Sequence, residues 1–573
     1  MILQIFEVMG AAHSYLHTKT GSEEIPSRQV KTNYGIIEGR RLVDEKDLQV
    51  DAFLGIPFAK PPVGPLRFKK PEPPEPWTGV LKAYKFGARA PQVDFIWEKW
   101  TLGVGKDEDC LTLNVFSPAW KPPDDQPKGF AVMVFVHGGG FLIDSAVKYG
   151  DVDICRNLCR HDVVVVTIQY RLGLLGFFTT GDEICPGNLG LWDQTLALKW
   201  IQENVSAFNG DPNRVTVFGQ SAGGASVDLL SLSPHSSHLF QQVIPMAGNA
   251  QCMWATTDKR RITAACRRFA RKAGWRAKND GGKSRIEMID YLRTRSAKLF
   301  ERGLLGRGGV DVQQIGLDLA PVVDGDFLPK SVKELRKEAP LKKCMIGTCQ
   351  YEGLLFAALG ANHFNLRGME KLLSIVIPED KFPNWKELRE EARRIYLDGK
   401  STTNDRHVVA RAYVELYSDL FVNNGTHDYA RIMSEKGHQV FLYSFEYFNP
   451  KSFGILSLRF PFKGATHCTE LTYLFGRSII LPFKLNDDDR YMMELMAKLW
   501  TNFAKYGDPN GPTQQQSFSD FKWEPVCKEH SDRYLNICLK PCMKDGYCER
   551  RADFWRKVAE QDSCFSNEST KLH

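Results

Sequence analysis

Short, continuously apolar segments alternate with longer helix-like segments through most of this chain. The apolar segments are Ala131–His137, Val163–Tyr170, Val215–Phe218, Val243–Ala247, Cys344–Gly347 and Val440–Phe445. The patterns between and after them favour helices at Leu191–Asn204, Ala222–Leu232 and Met492–Tyr506. Strands that are apolar on both faces must be covered on both faces. The alternation therefore predicts an α/β protein with a large, mostly parallel central sheet flanked by helices.

The length and composition are those of a large globular protein. The 573 residues are 43% hydrophobic and 25% charged, close to the globular average. No linker rich in Pro, Gly or Ser divides them. We therefore expect a single domain over residues 29–560, a poorly ordered extension over 1–28 and a tail over 561–573. The apolar segments are too short for a membrane-spanning helix, and a net charge of +7 gives no nucleic-acid signature.

The cysteines and the N-terminus bear on the cellular compartment. The 14 irregularly spaced cysteines are too few for a disulfide framework, and those near the C-terminus lack the paired spacing of a zinc site. The N-terminus has no basic n-region, so a signal peptide is not expected. The residues from Met9 through Gly10 to Ser14 fit a myristoylation pattern if translation starts at Met9, and a chance match is the alternative.

One segment stands out by its charge. Eleven basic residues lie between Lys259 and Arg285, interleaved with apolar residues such as Ile262 and Phe269. This spacing suits a helix with one buried face and a solvated basic face. The alternative is weak docking of residues 259–285 to an anionic membrane or partner.

The strongest chemical signal is a serine between glycines at the end of a strand. The sequence Val215-Thr216-Val217-Phe218-Gly219-Gln220-Ser221-Ala222-Gly223-Gly224 joins a β-run, a G-x-S-x-G motif and a helix-like run. A tight strand-to-helix turn holds such a serine exposed. The amide of Ala222 then lies at the helix N-terminus, where negative charge is stabilised. A plain glycine turn is the alternative.

A second signal follows the strand at Ala131–Val136. His137-Gly138-Gly139-Gly140-Phe141 places three glycines in a row, which costs backbone entropy and therefore needs a reason. Backbone N–H groups aimed at a developing oxyanion are such a reason. A flexible loop is the alternative, but it does not explain the preceding strand.

A serine nucleophile needs a base, and the base needs an orienting acid. In this kind of fold the acid and then the histidine follow the serine along the chain. His467 lies in a loop of small residues after the strand at Val440–Phe445, and Glu352 follows the strand at Cys344–Gly347. Spacing alone leaves the other downstream histidines open, and it leaves Glu352 open as a surface ion-pair residue.

Several long motifs together resemble the type-B carboxylesterase/cholinesterase family of α/β-hydrolases over about residues 30–558, with a texture closest to nematode gut esterases. They are Phe53–Ala59, Glu108–Leu111, the HGGGF loop, Asn188–Gln194, Phe218–Ser226 and Pro321–Gly325. The resemblance implies Ser221 as the nucleophile, His467 as the general base and acid, and Glu352 as the orienting carboxylate. It implies oxyanion amides at Gly139, Gly140 and Ala222. It also implies buried ion pairs of Arg67 with Glu108 and of Arg171 with Asp193.

Departures from the family pattern carry information about the compartment. The family joins the cysteine at Cys110 to an earlier cysteine, but the expected partner position here is Ala90. The family's second loop disulfide has no cysteine in its expected place. Since oxidising compartments favour such bridges, we expect a cytoplasmic protein.

The resemblance also suggests which residues line the substrate pocket. Trp100 resembles the choline-binding tryptophan of cholinesterases, but neutral Gln220 stands where cholinesterases have glutamate. Ile315 and Leu317 fall where acetyl-selective enzymes place phenylalanines, so we expect room for longer acyl chains. Trp254 and Phe356 are further expected walls.

The implied function is that of a serine carboxylesterase that forms an acyl-enzyme on Ser221 and needs neither a metal nor a cofactor. The expected partner is a small-molecule ester. Three alternatives remain: an acyltransferase with the same three residues, a cholinesterase-like enzyme and a non-catalytic interaction protein.

Overall fold

The structure is a computed structural model that describes residues 25–45, 48–95, 97–276, 281–304, 316–360, 364–400, 402–512 and 521–561. The strands within these residues join into one sheet of 13. They are β1 (Pro26–Lys31), β2 (Ile36–Glu45), β3 (Leu48–Pro57), β4 (Val80–Lys82), β5 (Thr112–Pro118), β6 (Phe130–Val136), β7 (Val163–Ile168), β8 (Gly210–Gln220), β9 (Gln242–Met246), β10 (Lys343–Cys349), β11 (Val440–Phe445), β12 (Tyr534–Ile537) and β13 (Cys542–Lys544).

The strand order is β1-β2-β3-β5-β7-β6-β8-β9-β10-β11-β12-β13, with β4 paired to β2. The strands from β7 to β12 in this order are parallel to one another. Antiparallel pairs flank them on both sides, at β1-β2-β3-β5-β7 and at β12-β13. The predicted α/β architecture is confirmed, and all six predicted strands belong to its parallel centre.

Helices cover both faces of this sheet. Their bounds are α1 (Glu98–Thr101), α2 (Val152–Asn157), α3 (Gly173–Phe177), α4 (Leu189–Asn204), α5 (Ala222–Leu232), α6 (Lys259–Lys272), α7 (Gly282–Arg293), α8 (Val332–Glu338), α9 (Gly353–Leu359), α10 (Leu366–Val376), α11 (Trp385–Tyr396), α12 (Arg406–Ser418), α13 (Asn424–Glu435), α14 (Thr469–Phe475), α15 (Asp487–Tyr506) and α16 (Arg551–Gln561). A π-helical turn at Asp419–Asn423 joins α12 to α13.

The core explains why the central strand β6 is apolar at every position. In β6, Val132, Val134 and Val136 pack into the hydrophobic cluster on one face of the sheet. Met133 and Phe135 pack into the cluster on the other face. Because side chains alternate between the faces of a strand, the continuous apolar run is what a doubly covered strand requires.

The ion pairs that the family resemblance implied are both formed. Arg67 Nε lies 2.7 Å from Glu108 Oε1, and Arg171 Nη2 lies 2.6 Å from Asp193 Oδ1. All four side chains are largely buried. Such pairs fix the loops that carry them, because separating the partners would leave an uncompensated buried charge.

A further buried ion pair holds the helix that follows Ser221. Arg336 on α8 donates two hydrogen bonds of 2.6 Å to the two carboxylate oxygens of Asp228 on α5. The backbone N–H of Ala250 donates to the same carboxylate at 2.8 Å. Sequence analysis did not single out this pair, since nothing in the local sequence marks two residues 108 positions apart as partners.

The predicted N-terminal extension and C-terminal tail lie largely outside the described residues. The strand β1 begins at Pro26, a little before the predicted domain start at residue 29. The possible myristoylation site at Gly10 and the tail after residue 561 lie outside the described ranges. Within those ranges, no helix is both long enough and apolar enough to cross a bilayer.

Candidate active site

Ser221 lies on a strained turn between β8 and α5. Its φ of 59° and ψ of −126° are unusual for a residue that carries a side chain. The turn needs small neighbours: a Cβ on Gly223 would lie 2.0 Å from the carbonyl oxygen of Val136, and one on Gly219 would lie 2.6 Å from the same atom. The G-x-S-x-G motif is therefore a packing requirement, and it presents Ser221 at the carboxyl end of the parallel strands.

The glycine loop after β6 packs directly against this serine. A Cβ on Gly138 would lie 3.1 Å from the Cβ of Ser221. Gly139 and Gly140 have positive φ values of 87° and 61°, and a Cβ on Gly139 would lie 2.2 Å from the carbonyl oxygen of Ile143. Gly138 and Gly139 have no room for a side chain, and Gly139 and Gly140 have left-handed backbones. Each of the three glycines therefore meets a requirement that favours glycine.

Three backbone donors near Ser221 lack a hydrogen-bond acceptor in the part of the chain that the structure describes. Among the described residues, the N–H groups of Gly139, Gly140 and Ala222 make no hydrogen bond to the protein. Buried backbone donors are normally paired, and Ala222 is fully buried. The arrangement is suited to accept an oxyanion, and the helix dipole of α5 adds to its positive potential.

Glu352 and His467 meet in a buried hydrogen bond. His467 Nδ1 lies 2.5 Å from Glu352 Oε2, and the side chains are 4% and 0% exposed. The other carboxylate oxygen, Oε1, accepts from the backbone N–H of Cys349 at 2.6 Å. Because an ionised carboxylate only accepts, Nδ1 carries the proton and Nε2 is the basic nitrogen.

The structure brings Ser221 and His467 to the same pocket but does not join them by a hydrogen bond. Within the described residues, the side-chain partner of the Nε2 atom of His467 is the amide of Gln220, at 3.3 Å. The Sγ of Cys468 donates to the Oε1 of the same Gln220 at 3.3 Å. Contacts between a nucleophile and its base are often long without substrate, so this geometry is compatible with His467 acting as the base of Ser221.

Three of the five predicted pocket residues line this cavity. Trp254, Leu317 and Phe356 face it, together with Ser221. The cavity holds about 1020 Å³ of empty space, part of it open to solvent. Ile315 lies outside the described residues. Trp100 belongs to helix α1, but its side chain lies outside the described part of the chain.

Sequence analysis missed much of the aromatic wall. Phe95 and Trp97 line the pocket and stack with ring centroids 4.7 Å apart. Phe421 lies on the π-helical turn, stacks on Trp254 at 5.4 Å and accepts a hydrogen bond of 2.7 Å from the Trp254 indole at its carbonyl oxygen. π-helical turns are frequent at functional sites, so this turn marks Phe421 as a pocket residue in the structure. The turn has no recognisable sequence pattern, so the sequence could not reveal it.

A charged corner also faces the pocket. Asp144, with a positive φ of 87°, accepts from the Tyr149 hydroxyl at 2.8 Å. The ammonium of Lys148 lies 3.1 Å from Glu98 and 3.9 Å from Asp144. Burial alone would lower the pKa of Lys148, but these two carboxylates raise it above its ordinary value. Lys148 therefore keeps its positive charge at neutral pH.

A second buried carboxyl group, that of Glu470, shares the neighbour Cys349 with Glu352. Glu470 accepts from the Sγ of Cys349 at 2.8 Å, while its other oxygen has no partner in the structure. Burial, with a smaller contribution from the charge of Glu352, raises the pKa of Glu470 to about 8. Glu470 therefore keeps its proton to a higher pH than an ordinary glutamate does.

The described residues hold no group of three or more His, Cys, Asp or Glu side chains placed to bind a metal. The chemistry that this pocket can perform with its own groups is acyl transfer: a serine, an imidazole paired to a carboxylate, and backbone donors for an oxyanion.

Comparison with known proteins agrees with this chemistry. The carboxylesterase family profile matches residues 26–555. The chain is 38% identical to esterase cest-33 of Caenorhabditis elegans, over 96% of both chains. It is 31% identical to gut esterase 1 of Caenorhabditis briggsae, over 93% of both chains. It is also 30% identical to neuroligin-3 of Mus musculus, over 94% of this chain and 69% of the relative.

The sheet and the serine turn define an α/β-hydrolase. The chain belongs to the carboxylesterase family, and it is a serine carboxylesterase that hydrolyses carboxylic esters. The predicted membership in the type-B carboxylesterase/cholinesterase family is confirmed.

Proposed function

We propose that this esterase works through an acyl-enzyme on Ser221. The Nε2 of His467 takes the hydroxyl proton as the Ser221 oxygen attacks the ester carbonyl carbon. The resulting oxyanion accepts hydrogen bonds from the free amides of Gly139, Gly140 and Ala222. His467 then gives its proton to the leaving alcohol. Water, activated by the same imidazole, attacks the acyl-enzyme and releases the acid and the free serine.

The buried Glu352–His467 contact is the observation that carries this proposal. A hydrogen bond of 2.5 Å to an almost fully buried carboxylate fixes the imidazole tautomer and stabilises the imidazolium that forms during the reaction. The carboxylate in turn is held by the backbone of Cys349. This support makes the base orientation independent of the substrate.

The pocket supports esters of apolar acids as substrates. Its wall is largely aromatic and aliphatic, and it includes Trp254, Leu317, Phe356 and Phe421. Gln220 contributes no negative charge beside Ser221, which speaks against a preference for choline esters. We therefore propose a general carboxylesterase that accepts acyl chains longer than acetyl.

The test is hydrolysis of p-nitrophenyl acetate, butyrate and octanoate by the purified chain. We expect kcat/KM to rise from acetate to butyrate. A matched series of choline esters should be hydrolysed more slowly than uncharged esters of the same acid. A clear preference for acetylcholine would refute the substrate assignment and favour the cholinesterase-like alternative.

The same assay separates hydrolysis from acyl transfer. With an added alcohol acceptor, an acyltransferase forms the new ester as its main product, whereas a hydrolase still releases mainly the free acid. We expect the acid to dominate, because the proposal assigns the second attack to water.

We also propose that the protein is cytoplasmic and associates weakly with membranes. The 13 cysteines within the described residues all carry free thiols, which is the state that reducing compartments maintain. Fractionation of cells that express the tagged chain tests the compartment: recovery with secreted or lumenal proteins would contradict it. Mass spectrometry of the native N-terminus tests whether Gly10 is acylated.

A further inference from the structure

The solvent-facing side of helix α6 is strongly basic. Seven of its 14 residues are Lys or Arg and none is acidic. The opposite side, which includes Ile262, Cys266 and Phe269, is buried in the protein. Because this apolar side fixes the rotation of the helix, the basic side chains are held together on one face.

A shallow cleft extends this face to neighbouring segments. Arg285 from α7 joins it and pairs with Asp182 at 2.5 Å. The residues of the cleft that carry charge include Arg260, Arg267, Arg268, Arg271, Arg285 and Asp182. Within the described residues, Arg260, Arg267 and Arg271 are exposed and form no ion pair. These three arginines thus give the cleft positive charge that no acidic side chain in the described ranges pairs with.

The basic face is linked to the wall of the active-site pocket. Arg261 binds Asp318 at 2.9 Å, and Arg268 lies 3.8 Å from the same carboxylate. Asp318 directly follows Leu317, which lines the pocket. A surface bound to α6 would therefore lie beside the pocket that receives the ester.

We propose that the exposed face of α6, together with Arg285, docks the enzyme onto bilayers that contain anionic phospholipids. Guanidinium groups bind phosphate through paired hydrogen bonds and are weakly hydrated. The neighbouring Ile286 is 50% exposed, which gives the basic face an apolar residue to contact lipid. A nucleic acid would use the charge but not the apolar residue, so the lipid surface is the better fit.

Docking through α6 also favours the hydrolysis of lipid-soluble esters, an effect that rests on the proposed function. Esters that suit an apolar pocket partition into lipid. An enzyme held on the bilayer by α6 meets these esters at a higher local concentration than an enzyme in solution.

Vesicle flotation tests the docking itself. The chain is produced without N-terminal acylation and mixed with vesicles of phosphatidylcholine alone or of phosphatidylcholine with phosphatidylserine. We expect binding only to the second kind, and release as the salt is raised from about 0.1 to 1 M. The triple variant Arg260→Gln, Arg267→Gln and Arg271→Gln should partition roughly 100-fold less strongly.

A matched control removes three exposed charges elsewhere. The variant Lys528→Gln, Lys540→Gln and Lys557→Gln changes three exposed lysines in the C-terminal part of the chain and should bind vesicles like the wild type. Equal loss in both triple variants would overturn the docking site, as would vesicle binding that the α6 variant leaves intact. Preferential binding of a DNA or RNA oligonucleotide through the same arginines would overturn the lipid assignment.

Two hydrolysis assays separate the docking from the catalysis. On water-soluble p-nitrophenyl butyrate without vesicles, the α6 variant should match the wild type. On a long-chain p-nitrophenyl ester dissolved in the vesicles, phosphatidylserine should accelerate the wild type and leave the α6 variant unchanged. Failure of all proteins to cleave any ester would refute the proposed function while leaving the vesicle result to decide the docking.

Discussion

Replacing Glu352 by glutamine exchanges one carboxylate oxygen for an NH₂ group in the buried contact with His467. The carboxylate accepts from His467 Nδ1 at 2.5 Å and from the backbone N–H of Cys349 at 2.6 Å. Glutamine has one acceptor oxygen and one donor group in the same space. The backbone N–H of Cys349 cannot become an acceptor, so the amide oxygen must face Cys349 and the amide NH₂ must face the imidazole.

This orientation forces the wrong form of the imidazole. With an NH₂ donor opposite it, Nδ1 has to accept, and the single ring proton moves to Nε2. Nε2 can then no longer take the proton of Ser221. The equivalent asparagine substitution in a serine protease lowers kcat by about 10⁴, which corresponds to roughly 5.5 kcal/mol of lost transition-state stabilisation. We expect a loss of that size in Glu352→Gln.

The assay is kcat/KM for p-nitrophenyl butyrate, with circular dichroism to verify the fold. Glu470→Gln is the matched control, because it also removes a buried carboxyl group near Cys349 but does not contact His467. We expect the control to keep most of its activity. If Glu352→Gln stays within about tenfold of the wild type, the assignment of Glu352 as the orienting acid is refuted.

Three further predictions concern the oxyanion loop, the helix after the serine and the second carboxyl group. Gly139→Ala should lower kcat by roughly 10²–10³, because the new Cβ displaces an amide donor; an unchanged kcat would contradict its role. Asp228→Asn should cost about 3–5 kcal/mol in urea unfolding, because it leaves Arg336 buried without its counter-ion; a loss below about 1 kcal/mol would contradict this. The raised pKa means that the folded protein holds a proton on Glu470 up to about pH 8, whereas the unfolded chain releases it at lower pH. The free energy of unfolding of the wild type should therefore fall between about pH 5 and 8, relative to that of Glu470→Gln. Thermal melts at both pH values measure this, and equal pH dependence in the two proteins would contradict the raised pKa.

The sequence predicted the parts of the fold in which one local pattern decides the outcome. Every residue of β6 and β7 is buried, so both strands are apolar except at Thr167 and stand out in the sequence. Strands β1 and β2 lie at the sheet edge and carry many polar residues. Their pairing depends on distant partners, and no short apolar run marks them.

The site residues likewise divide into those that a local sequence pattern marks and those that it does not. Ser221 and the glycine loop are marked by steric requirements that only small residues satisfy. Glu352 and His467 were identified from chain order and resemblance, and the structure brings them into contact because both follow parallel strands that end at one edge of the sheet. Trp97 lies at the start of a short helix and Phe421 in a π-helical turn. Neither element has a sequence pattern from which these pocket residues could be predicted.

The most direct test of the central claim is covalent labelling of the nucleophile. Diethyl p-nitrophenyl phosphate reacts with an activated serine by forming a bond from the serine oxygen to phosphorus and releasing p-nitrophenolate. We predict one diethylphosphoryl group per chain, located on Ser221 by peptide mass spectrometry, with release of one p-nitrophenolate and loss of ester hydrolysis. Ser221→Ala should take up no label and hydrolyse no ester. Labelling at another residue, or hydrolysis that survives in Ser221→Ala, would contradict the account.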